Sequence, residues 1–166
     1  MIVNVTITGD KKLLSSLSSL PAIIQQALYI KTVTLALKLE NLVKTGKLNG
    51  QVLNRITGAL SRSIHHSVKV ENGAVVGSVF SAGDVKYAAI HEYGGVTPPH
   101  IILPKKAQVL AFMGSGGGMV FTKKVNHPGS KMPERSFLRS SLKDMSTEIS
   151  TGLKKSVVDA IKREIG

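Results

Sequence analysis

The sequence predicts an α+β fold, in which N-terminal helices and a long C-terminal helix pack on a mainly antiparallel β-sheet with an extended hairpin. Apolar residues at steps of three or four from about Glu134 to Ile165 indicate the long closing helix. Alternating residues around an Asn-Gly turn indicate a β-hairpin over residues 66–81. Further short apolar runs between residues 100 and 126 predict additional strands.

The N-terminal part predicts one strand followed by two helices. Residues 2–8 (IVNVTIT) alternate apolar and polar side chains, which is typical of a strand. Leucines at helical spacing predict a helix over residues 11–20. Pro21 is expected to open a second helix. The backbone N–H of the first helical residue has no acceptor within the helix, so a proline, which lacks this N–H, loses no hydrogen bond there. This helix should run until Gly46 ends it, and Lys31 interrupts its apolar stripe.

The middle of the chain predicts short elements joined by turns. Residues 85–95 predict a short helix that two glycines stop, and the VTPPH segment at 96–100 predicts a rigid elbow. The GSGGG segment at 114–118 predicts a flexible hairpin tip. We therefore expect a single domain over residues 1–166, with a protruding hairpin around residues 107–126.

The composition limits the kinds of core and site that the chain can build. Hydrophobic residues make up 42% of the chain but aromatic residues only 4%, so the core must be aliphatic. The absence of cysteine excludes disulfides, thiolate metal sites and a cysteine nucleophile. We find no continuous apolar run of about 18 residues and no signal-peptide pattern, so we expect no segment to cross a membrane.

The net charge of +12 is the strongest compositional signal. Residues 1–100 carry ten Lys/Arg against five Asp/Glu, and residues 101–166 carry twelve against five. Such a surface attracts polyanions. The charge fits contact with nucleic acid, a solvated surface or an acidic protein partner, and these alternatives stay open. The few scattered aromatic residues do not supply the stacking platform of RNA-binding sheets.

The chemistry-bearing residues do not form a recognisable catalytic or metal motif. The glycine-rich segment is followed by a strand, whereas a phosphate loop needs a Lys-Ser/Thr pair and a helix. His91-Glu92 begins like a zinc-binding helix, but Gly95 stands where the second histidine is required. We therefore expect no enzyme activity, no metal and no cofactor. A hydrolase with an unrecognised site is the weakest alternative.

Four segments resemble a known family when they are read in order. They are TGALSRSI, YAAIHEYGG, IILPKKAQVLAF and VFTKKVNHPGSKMPERSFLRSSL, and together they span roughly residues 55–142. Their Thr-Gly-x-Leu-x-x-Ser, Tyr-x-x-x-His/Glu-Tyr/Phe-Gly, Ile-x-Pro and Arg-x-Phe-Leu patterns resemble the tail-completion, or virion-morphogenesis, proteins of tailed bacteriophages. Ser136 departs from the pattern, since relatives often have proline there.

The resemblance implies a structural virion protein of the neck. Such proteins complete the tail or join it to the head, as a ring between the head connector and the tail tube. It implies a homo-oligomeric ring, with six subunits carried over from tail symmetry, and head-connector or adaptor and tail-terminator or tail-tube proteins as partners. It also implies assembly in the bacterial cytoplasm, a place in the virion and non-specific contact with genomic DNA, without a membrane. The alternative function is a basic nucleic-acid-binding module.

The expected interface residues lie on the short helix and on a polar, proline-bounded connector that leads from the sheet to the last helix. Phe137 and Leu138 would anchor that helix, although they fit equally well as core of their own subunit. The tyrosines and histidine of the short helix either form a contact cluster or seat the helix on the sheet. The candidates are Tyr87, His91, Tyr93, His127, Pro128, Lys131, Arg135, Phe137, Leu138 and Arg139.

Overall fold

The computed structural model describes residues 10–83, 85, 87–105 and 107–165, so the strand predicted at residues 2–8 lies outside the described residues. Within these ranges the helices are α1 (Asp10–Leu42), α2 (Ala59–Ser63), α3 (Tyr87–Tyr93) and α4 (Leu138–Ile165). The strands are β1 (Ile64–Glu71), β2 (Ala74–Ser81), β3 (Gly95–Thr97), β4 (His100–Ile102), β5 (Leu110–Met113), β6 (Met119–Thr122), β7 (Val125–His127) and β8 (Ser130–Met132). All the strand pairs are antiparallel, so the predicted α+β class with a long C-terminal helix is confirmed.

The chain divides into two compact units. Unit 1 comprises Met1–Val85 and Ser136–Gly166, and unit 2 comprises Lys86–Arg135. Unit 1 contains the long helices and the β1–β2 hairpin, and unit 2 contains α3 and the remaining strands. That the two units fold together as the single domain expected from the sequence stays a prediction.

Helix α1 is continuous, which corrects the expectation of two helices that meet at Pro21. The helix runs from Asp10 to Leu42 with Pro21 in its interior. An interior proline removes one backbone hydrogen bond at a cost of about 3 kcal/mol. Tertiary contacts just beyond the proline offset this cost: the Gln25 side chain donates to the Gly73 carbonyl, and the Ala27 carbonyl accepts from the Ser156 hydroxyl.

Helix α4 packs antiparallel along α1. At Gly152 an added Cβ would lie 2.8 Å from Lys31 Cε, so the lysine stem covers the glycine. Lys31 therefore does not break the packed stripe, because its alkyl chain is apolar even though its amine is charged. Two ion pairs continue this packing: Lys38 of α1 pairs with Glu148 at 2.5 Å, and Lys47, in the segment that follows α1, pairs with Asp144 at 2.7 Å.

The β1–β2 hairpin packs on another face of α1. Its register pairs Glu71 with Ala74 around an Asn72-Gly73 turn in which both residues have positive φ, which is the geometry of a tight two-residue hairpin. An added Cβ at Gly77 would lie 2.7 Å from Thr32 Cγ2, so the strand approaches the helix closely at a residue that lacks a side chain.

Glu40 links α1 to the hairpin, and 15% of its side chain is exposed. Its carboxylate accepts hydrogen bonds from Lys44 on the same helical face and from His66 Nδ1 of β1. Burial raises the pKa of Glu40, but the two hydrogen bonds and the charges of Lys44 and His66 outweigh burial and leave that pKa below its ordinary value. The ionised carboxylate therefore stabilises the attachment of β1 to α1.

The chain leaves α1 through a wider helical segment rather than ending at Gly46. Val43–Gln51 continue in π-type turns, and Asn49 and Gly50 (φ 110°) then leave the helical conformation. Val43 and Leu48 are buried in this segment. Because their burial stabilises the extra turn, the glycine at position 46 does not stop the helix.

Among the described residues, one helical stretch is long and apolar enough to cross a membrane by length and composition alone. Leu20–Gln51 has a mean hydropathy of 1.3 over its best 18-residue window. The expectation that no segment crosses a membrane stays a prediction, because the core helix of a globular protein meets the same criterion. The same stretch contacts α4 and the hairpin, and 11% of the window is buried.

The core of unit 1 forms where α1, the hairpin and α4 come together. Phe137, just before α4, is 0% exposed and is the largest fully buried side chain. Ser141 is equally buried, and its hydroxyl donates to the Phe137 carbonyl at 2.6 Å. The other buried apolar residues of unit 1 are Leu35, Ala36, Val43, Leu48, Ile64, Met145 and Ala160.

Replacing Gly77 with alanine should lower the free energy of unfolding by about 1–3 kcal/mol, because the new methyl group overlaps Thr32 Cγ2. The double variant Gly77→Ala/Thr32→Ser removes the clashing methyl and should recover most of the loss in a double-mutant cycle measured by chemical denaturation. Gly116→Ala is a matched control, since nothing lies within 4 Å of an added Cβ there. Equal stabilities of Gly77→Ala and the control would refute the close approach.

Replacing Glu40 with glutamine should destabilise the protein by about 1–3 kcal/mol at neutral pH, because charged hydrogen bonds to Lys44 and His66 are lost. The pKa of Glu40 is lowered on folding, so this stabilisation is present above the ordinary carboxyl range and is lost as the pH falls through the lowered pKa. Unfolding curves should therefore converge in acid. Glu148→Gln, in the exposed pair with Lys38, should have a much smaller effect at every pH.

Candidate functional site

The strands of unit 2 form one long antiparallel ribbon. In both the β3–β8 and the β4–β7 ladders, the two residue numbers of every pair add to 227. The two ladders therefore belong to one register, interrupted where Pro98-Pro99 lies opposite Pro128-Gly129. In the β5–β6 ladder the two numbers add to 232. The segment between Ile102 and Leu110 therefore has five more residues than the segment opposite it, and these residues form a bulge.

A proline–glycine kink keeps the two halves of the ribbon in register. Gly129 has φ 89°, and an added Cβ would lie 2.2 Å from the Thr97 carbonyl oxygen, so only glycine fits this position. Thr97 Oγ1 accepts from the Ser130 N–H at 2.8 Å and closes the next step of the ladder. Because Ser130–Met132 pair with β3, the segment that joins sheet to helix is shorter than the connector predicted from the sequence.

His127 and His100 stack on each other across the ribbon, with ring centroids 4.9 Å apart and 25° between the rings. His127 Nδ1 accepts from the Gly129 N–H at 3.0 Å, so its neutral ring carries the proton on Nε2. His100 Nδ1 lies 3.0 Å from the Pro98 carbonyl oxygen, which only accepts, so this ring carries its proton on Nδ1. The pair thus supports the kink through two complementary tautomers.

Helix α3 brings two of the predicted groups together. The rings of Tyr87 and His91 meet edge to face with centroids 6.0 Å apart. The His91 carbonyl accepts from the Arg135 N–H at 2.8 Å, so the end of the connector is bound to the helix. His91 Nδ1 is buried and has no hydrogen-bond partner among the described residues. Tyr93 is mostly exposed, whereas its neighbour Glu92 is buried.

The remaining candidates divide between exposed and buried positions. Pro128, Lys131 and Arg135 are exposed in unit 2. In unit 1, Arg139 is exposed and Leu138 is partly buried. Phe137 is fully buried, so of the two interpretations left open for it, the structure supports a core residue of its own subunit.

The sequence analysis missed the most prominent surface of unit 2, which is an exposed apolar ribbon. Ala88 and Glu92 are its only buried residues in the part of the chain that the structure describes. Phe112 and Met113 are consecutive and both exposed, so both faces of the β5–β6 tip are uncovered. The exposed large apolar side chains of unit 2 are Tyr87, Tyr93, Val96, Ile101, Leu103, Val109, Phe112, Met113, Met119, Val120 and Phe121.

A usable signal for this surface exists in the sequence. A two-stranded ribbon has no further strand to cover either face, so apolar residues at consecutive positions of such a hairpin must be exposed unless another element packs on them. The same unit is basic: residues 86–135 contain seven Lys/Arg and two Asp/Glu, a net charge of +5. The ribbon therefore combines apolar and cationic side chains.

Among the described residues, no group of three or more His, Asp or Glu side chains is close enough to hold a metal ion. In unit 2 the histidine pair and Thr97 hold the kink of the ribbon, while large apolar side chains are exposed. No protein-family model matches this chain, and neither a curated protein nor a solved structure is significantly similar to it.

Proposed function

We propose that this protein is a non-enzymatic structural protein of the neck of a tailed bacteriophage. It forms a ring between the head connector and the tail tube and takes part in tail completion or head–tail joining. The observation that carries the proposal is the ribbon of unit 2, which exposes large apolar side chains on both faces and has scarcely any core.

The exposed ribbon is an unusual feature for a chain that acts alone. A two-stranded ribbon is marginally stable by itself in water, and soluble monomers rarely expose contiguous apolar surface of more than a few hundred Å². Met113 and Phe121 each have about two thirds of their surface exposed. A neighbouring subunit or an axial partner that covers these side chains would remove their apolar surface from water and so stabilise the unit.

Several residues of the motifs on which the family resemblance is based have structural roles at turns and close contacts. Gly58 has φ 74° and caps α2, and Ser63 at the end of α2 shares a 2.8 Å hydrogen bond with Ser81 of β2. An added Cβ at Gly94 would lie 2.9 Å from the Glu134 backbone nitrogen. The residues of the pattern therefore specify turns and close approaches, as expected for motifs of a structural family.

The proposed ring follows from an interface between two different surfaces of the chain, which closes when the rotation between neighbours is a simple fraction of a turn. Six subunits would match the symmetry of tails. Its axial partners would be head-connector or adaptor proteins on one side and tail-terminator or tail-tube proteins on the other.

A double variant of the ribbon tests this function. Met113→Ser with Phe121→Ser should leave the melting temperature of the isolated protein within a few degrees of wild type, because exposed substitutions cost about 0.5 kcal/mol or less each. The same variant should abolish or strongly reduce the joining of heads to tails, scored by electron microscopy and infectivity. Ile56→Ser is a control outside the ribbon, since Ile56 is 94% exposed in unit 1. Normal joining by the double variant would contradict the proposal.

A basic nucleic-acid-binding module is the second candidate, favoured by the net charge of +12. Under the neck function, any DNA binding should be sequence-blind, and its affinity should fall steeply between low and physiological salt as counterions are released. Titrations of two unrelated DNA duplexes over a salt series measure this. Sequence-selective binding that survives physiological salt would support the second candidate instead.

A further inference from the structure

Unit 1 contains an apolar groove between β2 and α4, with α1 as its floor. Its volume is about 220 Å³, and its lining includes Leu35, Leu39, Val75, Val79, Leu142 and Ile149. A helix with its side chains is about 10–12 Å wide and needs far more room than this. The side chains from one face of a β-strand are a better fit to the size of the groove.

The edge of the hairpin that borders the groove is an unpaired strand edge. Because Glu71 and Ala74 flank a two-residue turn, they form a hydrogen-bonded pair. From there, non-hydrogen-bonded and hydrogen-bonded pairs alternate along the hairpin. The backbone N–H and C=O groups of Val75, Gly77 and Val79 therefore point away from β1. These residues also line the groove, and no second strand pairs with β2 among the described residues.

The unpaired edge and the apolar floor together specify what would bind there. An added strand would hydrogen-bond to β2, direct alternate apolar side chains onto α1, and direct the intervening polar side chains outward. The hairpin itself follows this rule, since Val68 and Val79 share the inner face while Ser67 and Ser78 form a cross-strand pair on the outer face.

Residues 2–8 of this chain have the required pattern. Val3, Val5 and Ile7 would lie on one face of a strand, and Asn4, Thr6 and Thr8 on the other, together with Ile2 at its end. A seven-residue strand is a typical length for pairing with the eight-residue β2.

Residues 2–8 are attached too far from the groove of their own chain to bind in it. Thr32 lies 22 residues along α1 from Asp10, or about 33 Å, and Leu39 lies about 43 Å away. Even in a fully extended chain, Val5 reaches only about 17 Å from Asp10. Val3, Val5 and Ile7 therefore cannot pack together beside Leu35 and Leu39 of the same chain.

We infer that residues 2–8 of a neighbouring copy bind in this groove as a third strand beside β2. The donated strand and the receiving groove are different surfaces, so the contact is head-to-tail, and each copy donates one strand and receives another. The inference deepens the proposed function, because it gives the contact between adjacent subunits of the ring.

Two pairs of variants separate the donor from the acceptor. Val5→Asp places a charge on the apolar face of the donated strand, and Thr6→Asp is its control on the opposite face. Leu142→Asp places a charge in the groove, where Leu142 is 51% exposed, and Val158→Asp is its control at 48% exposure on the same helix but outside the groove lining. Analytical ultracentrifugation and native mass spectrometry of the full chain measure association over a concentration series.

The wild type and both controls should associate, whereas Val5→Asp and Leu142→Asp should each lose association and remain monomeric. Their equimolar mixture should form heterodimers and go no further, because the first variant keeps an intact groove and the second keeps an intact strand. Circular dichroism melting of each variant checks that it folds. A folded mixture that stays monomeric would overturn the inference.

Three other outcomes would also overturn it. The first is a wild type that is monomeric at every concentration. The second is a melting temperature that does not depend on the concentration of the wild type but falls in Val5→Asp, which would mean that the segment binds in the groove of its own chain. The third is undiminished association of Val5→Asp or Leu142→Asp. Rings that still form on virions from these variants would refute strand exchange but leave the neck function intact, whereas strand exchange in a protein absent from virions would refute only the neck function.

Discussion

The packing of one helix on two sides determines the architecture of unit 1. Helix α1 receives the β1–β2 hairpin on one face and α4 on another, and at each contact a glycine allows the close approach: Gly77 against Thr32 and Gly152 against Lys31. Glu40 then fixes β1 to the helix through His66. Since the hairpin and α4 both depend on the surface of α1, a shift of this helix would displace both elements.

The same packing leaves a gap. Among the described residues the hairpin has two strands, and α4 does not close over β2, so a groove lined by Leu39 and Leu142 stays open above the buried Leu35. An apolar floor beside an unpaired strand edge is the usual form of a site for strand addition. The packing that organises the unit therefore also creates the groove in which we propose that a strand binds.

The two units differ in how they are stabilised. Unit 1 buries Phe137, Ile64 and Val43 completely, whereas the described part of unit 2 buries only Ala88 and Glu92. Hydrogen bonds and glycines hold the ribbon in shape, through the stacked His100–His127 pair and the Gly129 kink. Such a ribbon gains stability from whatever covers it, which is the property we expect of an assembly protein.

The sequence by itself determined the elements whose signals are local. The 66–81 hairpin and the C-terminal helix follow from periods of two and 3.6 residues and from a two-residue turn, so they were predictable together with the fold class. Pairings between distant residues were decided only by the tertiary structure. The β3–β8 ladder joins residues more than 30 positions apart, and the prolines on both sides made the segment look like a connector. Pro21 stays inside α1, Phe137 is buried and Glu40 meets His66 because packing energies between remote segments outweigh local preferences, and a single sequence does not show which segments will meet.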